Sequence, residues 1–241
     1  TEPVTIVKKI ENPVLEKITK KVPVISRLLE RLPQKLVDKI FCNDFSVNER
    51  IFERPFVFLN LPPPEKNIKV LDAGCSFSVL SLEMASIGYK VWGIDLIDYP
   101  FQHPNLEFLK ADISAMPFPD NFFDAAAVIS TIEHVGVGHY GDPVYENGDY
   151  KAVNEIRRVL KPGGKFIITV PYGKKMVIEN FLRIYDEVEL RRLLSGFKIE
   201  KIFYFTRLGK GWHSARREEA ATKAIDERGR NLATVLVSCL K

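Results

Sequence analysis

Val70-Leu71-Asp72-Ala73-Gly74-Cys75-Ser76-Phe77-Ser78, read with Gly93-Ile94-Asp95 downstream, decides the fold of this chain. The apolar run Ile68 to Leu71 ends in an acid and a glycine turn. A helical pattern follows (Leu80, Leu82, Met84, Ala85, Ile87), with Gly88 as its stop, and a second apolar run ends in Asp95. This is one βαβ unit with an acid at the carboxyl end of each strand, 23 residues apart. Units of this kind bind adenosine-containing ligands, and the second acid is placed to accept from ribose hydroxyls. The turn keeps only Gly74, where a dinucleotide fingerprint needs Gly-x-Gly-x-x-Gly to approach a pyrophosphate. A Gly-Lys-Ser/Thr phosphate loop is also absent from the sequence. The turn therefore favours an adenosine ligand without phosphates.

Working outward, Leu106–Leu109 is a third apolar run followed by Lys110-Ala111-Asp112-Ile113. Then come Met116-Pro117-Phe118-Pro119-Asp120-Asn121-Phe122-Phe123-Asp124 and a strand-like Ala125–Ile129. Farther on, Arg158-Val159-Leu160-Lys161-Pro162-Gly163-Gly164 leads into a β-branched run, Lys165–Val170. In this order and spacing, over about residues 67–170, the chain resembles the class I S-adenosylmethionine-dependent methyltransferases, a poorly characterised branch in particular. S-adenosylmethionine suits the turn, because it lacks phosphate and its cationic groups match a site rimmed by carboxylates. The resemblance implies an α/β fold: a Rossmann-like, doubly wound, seven-stranded, mostly parallel sheet whose last strand runs antiparallel at the far side. Strands are expected near 68–72, 90–95, 106–110, 124–130, 165–170, 198–205 and 232–239, with parallel crossovers of the usual hand.

Residue by residue, the resemblance implies that Asp72 and Gly74, with Cys75 and Ser76 in the same turn, line the methionine part of the cofactor. Asp95 holds the ribose hydroxyls and Leu96 lies against the adenine. Asp112 and Ile113 take the adenine amino group and ring face, and Ser130 closes the floor near the methyl group. The departure is at Ser76 and Ser78, where the family has glycine; a positive φ at either position would be strained for serine.

Methyl transfer from a sulfonium needs positioning of the acceptor and, for a hydroxyl or amine, removal of a proton. Four glycines, two of the four histidines and several acids crowd the stretch after the fourth strand, and polar groups on a loop at a strand end point to function. His134 is the candidate base, since an imidazole titrates near neutrality. Glu133 either orients it or contacts the cofactor. His139, Tyr140, Asp142, Tyr172 and Arg183 are candidates for binding a polyhydroxylated or acidic acceptor, with Arg183 able to pair with a phosphate. Their spacing fits no rigid metal motif, so no metal is assigned. The expected acceptor is a small polar molecule, a sugar hydroxyl or related metabolite. The alternatives are a protein or RNA methyltransferase, or a relative that keeps the fold without the chemistry.

The sequence is 241 residues, 46% apolar and 27% charged, ordinary for a globular enzyme. Residues 1–40 hold nine Lys/Arg against five Asp/Glu, which accounts for the whole net charge of +4. Apolar residues recur there at helical spacing from Val14 to Ile40, and Pro23 and Pro33 divide the stretch into short amphipathic helices. The expected organisation is an N-terminal helical extension or lid over 1–60 and a methyltransferase domain over 61–241. The extension covers the core or makes peripheral membrane contact. Nucleic acid is not favoured, because the remainder is charge-balanced. Three widely spaced cysteines and no 20-residue apolar run suggest a cytoplasmic enzyme.

Overall fold

The computed structural model describes residues 48–241 other than 66, 77, 140–143, 210, 227 and 228. The expected N-terminal helices, Tyr140 and Asp142 lie outside the described residues. The chain divides into two units, 1–47 and 48–241. The second unit begins upstream of the expected domain start at 61, because it takes in a helix, α1 (Arg50–Asn60). Four residues on one face of α1, Glu53, Phe56, Val57 and Asn60, are buried, the i, i+3, i+4, i+7 spacing of a helix laid on a core.

Beyond a proline-rich connection come the first five sheet strands, with a helix after the first and another between the fourth and fifth. They are β1 (Lys69–Ala73), α2 (Leu80–Ser86), β2 (Lys90–Asp95), β3 (Leu106–Lys110), β4 (Phe123–Ile129), α3 (Gly148–Val159) and β5 (Leu160–Pro171). A small hairpin follows, β6 (Met176–Ile178) and β7 (Leu182–Ile184), then α4 (Glu187–Leu193). The chain closes with β8 (Lys198–Leu208), β9 (Gly211–Ala215), α5 (Arg217–Ala221) and β10 (Ala233–Leu240). The main sheet has the order β3-β2-β1-β4-β5-β10-β8-β9. β1 to β5 pair in parallel, and β10 runs antiparallel to both β5 and β8.

The period-2 alternation of strand side chains sorts the core onto two faces. Ala126 and Val128 of β4, with Phe166 and Ile168 of β5, meet Val153 and Ile156 of α3 and Leu190 of α4. Ala125 and Ala127, with Ile167, meet Phe56 and Val57 of α1 and Leu80 and Met84 of α2. Thr169 continues the Ile167 row, so a hydroxyl is buried on the side that α1 covers.

Two expectations are corrected. The main sheet has eight strands, not seven, because the insertion after β8 supplies β9 as well as the short α5. The last strand is not at the far side but inside the sheet. β10 is buried along nearly its whole length and needs neighbours on both sides, whereas the short, partly exposed β9 suits an edge. β5 also begins earlier than expected, at Leu160. Lys161-Pro162-Gly163-Gly164 bulges out of the β4 register, with Gly163 at φ +75°.

Candidate active site

At the carboxyl ends of β1, β2 and β4 the chain leaves a cleft enclosing about 990 Å³, open solvent at its mouth included. This is where ligands of open α/β sheets sit. Asp72 lies next to the end of β1 with only 2% of its surface exposed. Burial pushes its carboxyl up to about 6, against the hydrogen bond it accepts from Ser81 Oγ at 2.5 Å. Gly74 has φ +84°, and a Cβ there would come within 2.2 Å of Thr131. Only glycine fits this turn.

The serines in the turn are not strained, since neither Ser76 nor Ser78 has positive φ. Ser76 N–H donates to Asp95 Oδ2 at 2.9 Å, and its hydroxyl donates to the Ile97 carbonyl at 2.7 Å. Ile97 N–H donates to the other oxygen of Asp95 at 3.1 Å. Asp95 is thereby pinned at the cleft by two backbone donors. Asp112 is held in the same manner, accepting from Ser114 N–H at 2.7 Å. Leu96, Ile113 and Tyr145 supply apolar lining.

The end of β4 is built differently. Ser130 sits at φ +46°, a left-handed conformation rare outside glycine and asparagine. Its N–H donates to both the carbonyl and Oγ1 of Thr169, at 3.1 and 3.0 Å. Its hydroxyl donates to Glu53 Oε1 at 2.8 Å, and Thr169 Oγ1 donates to the same oxygen at 2.7 Å. Arg50 pairs with Glu53 and donates to Ser130 Oγ at 2.8 Å.

A 3₁₀ turn, Ile132–His134, follows. His134 Nδ1 lies 2.5 Å from the Phe181 carbonyl. A carbonyl only accepts, so Nδ1 carries the proton and Nε2 is the basic nitrogen of the neutral ring. The ring stacks on His139 with centroids 4.6 Å apart. Glu133 is buried, with Oε1 3.9 Å from His134 Nε2 and Oε2 without a hydrogen-bond partner among the described residues. Burial pushes its carboxyl up to about 8.

Comparison with known proteins identifies the family. A family model described as Caenorhabditis protein of unknown function, DUF268, matches residues 112–225. A sterol 4-C-methyltransferase of Caenorhabditis elegans is 32% identical over 114 residues, covering 43% of this chain and 31% of that protein. A demethylmenaquinone methyltransferase of Corynebacterium kroppenstedtii is 30% identical over 174 residues, 69% of each chain. The chain belongs to the class I S-adenosylmethionine-dependent methyltransferases. Among solved structures, a Burkholderia thailandensis 1,6-didemethyltoxoflavin-N1-methyltransferase shares the fold. Its TM-score is 0.58 at 18% identity, covering 80% of this chain and 79% of that one. The chain thus spans about a third of the first of these relatives and just over two thirds of the second.

Within this methyltransferase, Asp72, Gly74, Ser76, Asp95, Leu96, Asp112, Ile113, Ser130 and His134 all line the cleft. Other expected site residues do not. Cys75 is buried with its sulfur packed against Gly93, and burial holds the thiol well above its ordinary pKa. Tyr172 is fully buried and its hydroxyl donates to Glu187 at 3.1 Å, so it is a core residue rather than an acceptor contact. Arg183 is spent on the Val135 carbonyl at 2.5 Å and lies 3.8 Å from Asp149, which holds the β6–β7 hairpin to the loop after β4. His139 Nδ1 donates to the Asn180 carbonyl at 3.1 Å, on the same hairpin. Glu133 stands behind His134 rather than in the lining.

The sequence reading missed Arg50, Thr131 and Tyr145 in the lining, and Glu53 beneath it. For Glu53 a signal was present: a charge on the same helical stripe as Phe56, Val57 and Asn60.

Proposed function

We propose that this methyltransferase acts on a small-molecule acceptor, with His134 as general base and Asp72, Asp95, Asp112 and Ser130 disposed around S-adenosylmethionine. The residues fit that cofactor. Three carboxylates rim a cleft entered by a turn that admits no Cβ at Gly74, and Asp95 is held ready to receive hydroxyl donors. When bound, S-adenosylmethionine supplies an activated methyl carbon. The protein's part is to bring the acceptor into line and to take its proton. The observation that carries this reading is the placement of His134 at the cleft, with Nδ1 committed to Phe181 and the ring's basic nitrogen therefore fixed as Nε2.

The acceptor we favour is a hydroxyl of a sugar or related polar metabolite, supported by the histidines and acids concentrated in the loop after β4. A second reading, an apolar ring compound methylated at carbon, is supported by the relatives named for sterol and demethylmenaquinone. Calorimetric titration with S-adenosylmethionine and S-adenosylhomocysteine, with NAD as control, tests the cofactor. Micromolar binding of the first two is expected, and silence from both would end the reading. Transfer of labelled methyl to sugars and nucleotide sugars, compared with sterols and quinols, separates the two acceptor classes.

A further inference from the structure

The charges lining the cleft are one-sided. Asp72, Asp95 and Asp112 face it, and Arg50 is the single Lys or Arg among its described lining residues. Arg50 lies on α1, ahead of every motif that marks the nucleotide site. Its Nη1 donates to Ser130 Oγ at 2.8 Å and also to Glu53. Glu53 is fully buried and accepts from Ser130 and Thr169 as well. A buried carboxylate that gathers three donors is fixed in place, and it fixes the guanidinium in turn. The Nε and Nη2 groups of Arg50 make no hydrogen bond with described residues, while the side chain keeps 37% of its surface exposed. One end of the guanidinium is therefore anchored and the other is presented.

The amino-acid end of S-adenosylmethionine is a zwitterion. Its ammonium suits the carboxylate rim, and its carboxylate needs a cation or a fork of N–H donors. We propose, resting on the methyltransferase reading above, that Arg50 receives this carboxylate through Nε and Nη2, with Glu53 as the positioning residue that holds Nη1. The helix before β1, rather than the glycine turn, then decides between adenosyl ligands that carry the carboxylate and those that lack it. Ser130 belongs to the same hydrogen-bond network, so the carboxylate seat and the left-handed end of β4 are built as one piece.

The test is calorimetric titration of the full chain with S-adenosylhomocysteine and with 5′-methylthioadenosine, which lacks the amino-acid arm. Arg50→Ala is expected to weaken the first by about 10- to 100-fold, the loss of a charge-assisted contact, and to leave the second within about twofold. Glu53→Gln is expected to weaken S-adenosylhomocysteine by a smaller factor, again sparing 5′-methylthioadenosine. Should that buried substitution unfold the protein, the partly exposed Arg50→Ala still decides the matter. Equal losses for both ligands, or none for either, would overturn the assignment of Arg50 while leaving the methyltransferase reading intact. Failure of the unmodified chain to bind either ligand would overturn both together.

Discussion

On the β1–β3 side of the cleft, the carboxylates that line it are held by bonds to nearby chain. Asp112 is fixed by a donor two residues away, and Asp95 by donors two and nineteen residues away. On the β4–β5 side the equivalent bonds cross far more sequence. His134 reaches Phe181 over 47 residues and Arg183 reaches Val135 over 48. Ser130 reaches Glu53 over 77 and Thr169 reaches it over 116. The first kind of site is a local turn that one motif can specify. The second exists only once the sheet is assembled.

Substitutions can break this contrast one side at a time. The largest expected effect is at His134. His134→Ala should lower turnover by roughly 10²–10⁴-fold, with S-adenosylhomocysteine affinity unchanged by calorimetry; equal turnover would move the proton to another group. Next is Asp95→Ala, which removes the proposed partner of the ribose hydroxyls and the acceptor of two backbone donors. A loss of roughly 10- to 150-fold in cofactor affinity is expected, from about 1.5–3 kcal/mol for a bond to a charged group. Unchanged binding would take Asp95 out of the site. Arg183→Leu loosens the β6–β7 hairpin from the loop after β4. It should raise the acceptor KM by about 2- to 10-fold without touching cofactor affinity, and a fall in cofactor affinity instead would erase the division between the two sides.

The smallest effect is on stability. Folding raises the Glu133 carboxyl to about 8 from an ordinary 4.5. Between those pH values the native state keeps a proton that the unfolded chain releases, so this group's contribution to stability falls as pH rises through the window and levels off above it. Asp72, also raised, adds a slope in the same direction to both proteins and cancels in their difference. Glu133→Gln should therefore melt with the parent below about pH 4 and clearly above it near pH 8.5, where the parent has lost this contribution. A variant that melts lower at pH 8.5 would mean the carboxylate is paired.

The same contrast governs how much could be read before the structure. The alternation of apolar runs and glycine stops located β1 to β5, and the acids at the strand ends named most of the cleft. The position of β10 could not be read this way. An apolar strand at the chain's end says that it is buried, but not between which neighbours. Tyr172 and Arg183 misled because a polar residue beyond a strand end looks alike in sequence whether it faces a ligand or donates to Glu187 or Val135. Arg50 and Glu53 lie ahead of the nucleotide motifs, and their partners are strand-end residues that only the assembled sheet places beside them.

The span from Glu53 to Thr169 also has a consequence in time. Contacts between residues far apart in sequence carry the largest loop-closure cost and depend on the rest of the sheet being in place. α1 borders the cleft through Arg50, so its local opening is expected to expose the cleft without unfolding the sheet. Any ligand that Arg50 holds will suppress that fluctuation by mass action. Amide exchange along α1 should therefore slow on ligand binding more than exchange in β1, even though β1 carries the motif by which the family is known.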